Sequence, residues 1–114
     1  NDWYAFRFIF KVHKAIPADY RIFFHGKVDE SQAYLLPPNM REQGFMMWNF
    51  DPTPPTSQWP ENDYVFLMHR IRAERIKYGL KIGFYSGDKY FGNAVWLGEI
   101  DFGALIPATQ PPTP

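Results

Sequence analysis

Cysteine is missing from the 114-residue chain. Its absence removes disulfides, thiolate nucleophiles and cysteine-ligated metals together. A surplus of charge is missing too, because 12 basic residues stand against 12 acidic ones. Binders of polyanions gain affinity by counterion release from a basic excess, so nucleic acid is not an expected partner. No apolar run approaches the roughly 20 residues that cross a bilayer as a helix, and the first residues lack the pattern of a secretory leader. The 3 histidines, His13, His25 and His69, match no metal-binding spacing. Nucleophile-elbow, phosphate-loop and dinucleotide fingerprints are also wanting. The expectation is therefore a chain without metal, cofactor or catalytic centre.

What is abundant is aromatic surface, at 19% of residues, mostly Phe and Tyr. Such residues suit pleated, half-buried sheets. In WYAFRFIFKVH, Tyr4, Phe6, Phe8, Phe10 and Val12 alternate with Trp3, Ala5, Arg7, Ile9, Lys11 and His13, the mark of a strand with one buried face. A second strand, DYRIFFHGKV, sets Tyr20, Ile22, Phe24 and Val28 against Asp19, Arg21, Phe23, His25 and Lys27, with Gly26 a bulge or close-approach point. DESQAYLLPPNMREQ reads as a loop with a short strand at residues 33–36. Further strands are expected in GFMMWNFD, DYVFLMHRIR, YGLKIGFYS and AVWLGEIDF, with one helical turn in AERIK. The prediction is an all-β chain: a single antiparallel β-sandwich, immunoglobulin-like or jelly-roll-like, of about seven strands. It spans residues 1–106, and the proline-rich tail 107–114 is expected to stay unpacked. The abrupt start near Trp3 suggests a piece of a longer chain, or a mature form from which a leader or anchor was removed.

The segment NFDPTPPTSQWPENDY (49–64) separates two strong strands, too closely for a linker between two self-sufficient cores. It reads as a corner within one domain. Asp51, Glu61 and Asp63 cluster there, and paired carboxylates perform glycoside chemistry when one is desolvated. A polar loop promises no desolvation, so Asp51 before Pro52 is expected to cap a turn instead. Trp59 has two readings. An exposed ring on a proline-stiffened loop would stack on a sugar at little entropic cost; a ring folded inward would plug the end of the sandwich. The plug is preferred.

The order of motifs resembles a β-sandwich module at the C-terminal, extracytoplasmic ends of bacterial membrane glycosyltransferase-like proteins. Phe24-His25, Asp51-Pro52, Pro55-Thr56, Trp59, Tyr64 and Ile82-Gly83-Phe84-Tyr85 carry the resemblance, which covers roughly Phe8 to Phe102. The chain departs from that pattern at Pro60-Glu61-Asn62-Asp63, where the module has a glycine, and at Tyr78-Gly79, where it has Gly-x-Tyr. The resemblance implies a structural corner of Asp51, Pro52, Pro55, Thr56 and Trp59, and an accessory domain outside the cytoplasm.

The expected function is contact rather than chemistry: docking onto protein subunits of a membrane-associated assembly, with carbohydrate binding through loop aromatics as the alternative. Trp3, Ile9 and Phe23 are apolar where solvation alone would favour polar residues. If the first two strands are neighbours, Arg7, Lys11 and His13 join Arg21, His25 and Lys27 in one basic stripe that suits an acidic partner, anionic lipid or anionic glycan.

Overall fold

The computed structural model describes residues 2–109. Seven antiparallel strands occupy them: β1 (Asp2–Val12), β2 (Arg21–Lys27), β3 (Phe45–Phe50), β4 (Asp63–Ala73), β5 (Lys77–Ser86), β6 (Lys89–Tyr90) and β7 (Val95–Asp101). β1 and β4 form a two-stranded sheet in unbroken register from Asp2↔Ala73 to Val12↔Asp63. The second sheet runs β3–β2–β5, with β6 and β7 following one another along the far edge of β5. The chain is an all-β sandwich.

The alternation of the strands dictates this packing. The apolar faces of β1 and β2 meet front to front, with the Phe24 ring 5.3 Å from Phe8 and 5.6 Å from Phe6. Burying two such faces against each other removes more apolar area from water than laying the strands side by side. The pairing of the first two strands, on which a single basic stripe depended, therefore does not occur. Arg7 and Lys11 lie on one sheet, and Arg21, His25 and Lys27 on the other.

Tyr4, Ile22, Phe24, Tyr78, Leu80 and Phe102 are among the core side chains. Burial pushes the Tyr78 phenol up to about 12, and its oxygen accepts the Glu74 N–H at 3.2 Å. Gly26 proves to be a close-approach point: a Cβ there would meet the Trp48 and Tyr78 rings at 2.8 Å. Phe6, Phe8 and Phe10 are only partly buried, because a two-stranded sheet leaves both of its flanks open.

Three local expectations need correction. Residues 29–43 hold no strand; Asp29 accepts the Ser31 N–H and caps a 3-10 helix over Glu30–Leu35, followed by a short α-helix at Pro38–Arg41. Residues 74–76 bend without a helical turn. The tail begins by packing: the Ala108 N–H donates to the Trp3 carbonyl at 2.7 Å. Residues 110–114 lie outside the described residues.

The 49–64 segment crosses from the larger sheet to the smaller. Thr56, fully buried, donates its hydroxyl to the Ala18 carbonyl (2.7 Å) and accepts the Tyr20 N–H (2.9 Å). Asp19 accepts from the Ser57 N–H and hydroxyl. These bonds tie the corner to the β1–β2 connection. Pro52 is buried and Pro55 half-buried beside them. Asp51 does not cap; it pairs with Arg21 at 2.9 Å on the surface.

Candidate functional site

In the small sheet the period of two puts Tyr4, Phe6, Phe8, Phe10 and Val12 inward, together with Val65, Leu67, His69, Ile71 and Ala73. Apart from Asp2 and Asp63 at the strand ends, which share the inward parity, the remaining positions face outward in cross-strand pairs: Trp3 with Arg72, Ala5 with Arg70, Arg7 with Met68, Ile9 with Phe66, and Lys11 with Tyr64. Four of these ten outward side chains are basic and none is acidic. At the centre Ile9 is 66% exposed and Phe66 71%. Covering either side chain fully is worth about 1.5–3 kcal/mol.

Several cations on this face are held in place. The Lys11 ammonium lies 4.7 Å from the Tyr64 ring centroid and donates to the Asn62 carbonyl at 3.1 Å. The Arg72 guanidinium lies 5.9 Å from the centroid of Trp3. Arg70 keeps a buried Nε–H without a hydrogen-bond partner among the described residues. Such positioned charges around an apolar centre favour an acidic surface of matching shape.

The outward face of the larger sheet handles its aromatics differently. Phe23, expected as an exposed contact residue, is 4% exposed. Its ring fills the gap left by Gly83, where a Cβ would come within 2.4 Å of it. His25, Tyr85 and Tyr90 surround it, with ring centroids at 4.9, 5.8 and 5.7 Å. His25 is itself stacked on Phe45; burial, with Lys81 adding to it, lowers its pKa. Lys27 is exposed, and Arg21 is engaged by Asp51.

Trp59 is not a surface ring. It is 4% exposed, stacks on Phe10 at 5.5 Å, meets Phe84 edge-on at 6.1 Å, and donates its indole N–H to the Pro54 carbonyl at 2.8 Å. No face of the ring is open to a sugar. The nearby carboxylates are engaged as well, since Glu61 accepts the Ala15 N–H and Asp63 the Tyr64 N–H.

Of the residues expected to make contacts, Trp3, Arg7, Ile9 and Lys11 come together on one face. Arg21, His25 and Lys27 sit on the other sheet, and Phe23 and Trp59 are buried. The β4 half of the face, above all Phe66 and Met68, was overlooked. Its signal was present as apolar residues at the positions of DYVFLMHRIR that alternate with Val65, Leu67 and Ile71.

Among the described residues, no group of three or more potential metal-ligating side chains converges. The chain matches no known protein family, curated protein or solved structure.

Proposed function

We propose that the chain is a non-catalytic docking module, which attaches through the outward face of β1 and β4 to an acidic protein surface in a membrane-associated assembly outside the cytoplasm. The single observation that carries this reading is the Ile9–Phe66 pair, bare at the centre of a face with four cations and no carboxylate. An isolated sheet face would gain solubility by exchanging these two residues for polar ones. The fixed positions of Lys11 and Arg72 favour a partner with fixed carboxylates over the diffuse charge of a lipid surface. The extracytoplasmic setting rests on the resemblance to the accessory module, and the engaged corner carboxylates agree with a role in contact.

The test begins with a photoreactive residue at position 66, irradiated in the cell that makes the protein, to mark its neighbour. The affinity of the purified neighbour is then measured. Phe66→Asp and the Arg7→Glu/Lys11→Glu pair are each expected to weaken binding at least about tenfold, and added salt to weaken it further. Crosslinks to lipid alone, or a partner bound equally by all three chains, would overturn the reading.

A further inference from the structure

A second surface lies at the end of the sandwich where β2 finishes and β5 begins. It is a cleft of about 1180 Å³, bounded by the 3-10 helix after β2, the turn before β3 and the facing stretch of β5 and β7. It includes no side chain of the β1–β4 outward face. Trp96 stands at its edge, 55% exposed. The six-membered part of the indole is seated on Gly79, where a Cβ would come within 2.6 Å of it.

Covering a glycine in a strand is a structural task, and it occupies one side of the ring. That task leaves the other side bare. The result is a flat apolar plate, fixed from beneath before any ligand arrives.

The chemistry around the plate is mixed. The cleft walls carry four basic and five acidic side chains, so neither a polyanion nor a cation is favoured by charge. Several of these groups serve the fold: Asp29 and Asp101 cap backbone N–H groups, and Arg75 pairs with Asp2 at 2.8 Å. Lys27, Gln32, Gln43, Lys77 and Glu99 make no side-chain hydrogen bond or ion pair among the described residues. They leave ammonium and amide donors beside carboxylate and amide acceptors.

We propose that this cleft binds an uncharged saccharide. Trp96 stacks on the C–H face of one pyranose ring, and the five polar side chains exchange hydrogen bonds with its hydroxyls. Uncharged sugars are apolar on their ring faces and ringed by groups that both donate and accept. The plate and the balanced cleft supply the complement of each. The preorganised ring limits the ordering cost of binding.

The experiment is a titration of the ¹⁵N-labelled full chain with cellotetraose, mannotetraose and chitotetraose, and with a heparin tetrasaccharide as the charged comparison. At least one neutral tetrasaccharide is expected to shift the Trp96 indole N–H and the Gly79 and Gln43 amides, saturating below about 10 mM. Trp96→Ala is expected to weaken that binding at least about tenfold. A Lys77→Ala/Gln43→Ala chain, altered only at exposed side chains, should weaken it as well, so a loss of fold at Trp96 does not decide the outcome. No shift at Trp96 with any neutral tetrasaccharide, shifts with the heparin fragment alone, or binding unaffected by both variants would overturn the proposal.

Discussion

The two sheets dispose of their outward aromatics in opposite ways. On the larger sheet Phe23 drops into the space left by Gly83 and is sealed by His25, Tyr85 and Tyr90. On the smaller sheet Phe66 faces Ile9 across the ladder and stays 71% exposed. Both phenylalanines lie on solvent faces by strand parity, yet one is core and the other is bare. The lesson is that parity assigns the face, while the neighbour across the ladder decides burial. A glycine opposite makes a socket; an isoleucine opposite makes a ridge.

That contrast is broken most severely by truncating the two rings. Phe23→Ala is expected to cost about 3–5 kcal/mol, as for any buried phenylalanine, while Phe66→Ala should stay within about 0.5 kcal/mol of the parent. Chemical denaturation of the three chains measures both, and equal costs would erase the distinction. Trp59→Ala belongs with Phe23→Ala, at about 3–5 kcal/mol, because its ring lies against Phe10 and Phe84.

Filling the socket sharpens the same point. Gly83→Ala places a methyl group against the Phe23 ring and should destabilise by about 1–3 kcal/mol. Added to a chain that already carries Phe23→Ala, it should cost much less, and the double-mutant cycle gives the coupling. Additive costs would mean that the ring does not occupy the socket.

Smaller still is the effect of pH. His25 and His69 both have imidazoles lowered by burial, His25 further by Lys81. A lowered folded pKa means that the unfolded chain binds more protons below about pH 6.5. Stability is thus fully present above that pH and declines as pH falls through it towards the folded values. Melting temperatures between pH 7.5 and pH 5 should show the decline. His69→Gln should reduce the slope, while removing the ring that stacks 4.1 Å from Phe50. The smallest effect is expected at Asp51, whose ion pair with Arg21 is exposed. Asp51→Ala should cost less than about 1 kcal/mol, whereas a turn cap would cost about 1 kcal/mol or more.

Much of this architecture is legible in the residues. Alternation alone places Tyr4, Phe24, Leu67 and Leu80 in the core and Arg7 and Lys11 outside. The prolines and Trp59 mark a corner, which the structure places between the two sheets. Which strand lies beside which is not legible, because periodicity records a strand's faces and says nothing about its neighbours. The basic stripe failed for that reason: β1 and β2 follow each other in sequence but lie in different sheets. Phe23 was misplaced because its burial depends on Gly83, a partner distant in the chain. The β1–β4 face was half visible for the same cause, since Phe66 and Met68 join Ile9 and Arg7 only through the ladder. Trp96 stood in plain sight in the last strand, but its seat on Gly79 and its place at a cleft are facts of three dimensions.

The central claim, that the small sheet's outward face is the docking surface, is tested most directly by oxidative footprinting of the chain with and without its crosslinked partner. Tyr64, Phe66 and Met68 should become protected in the complex, while Met47, Tyr90 and Trp96 on the larger sheet keep their reactivity. Protection of Met47, Tyr90 or Trp96 with Phe66 still reactive would contradict the account.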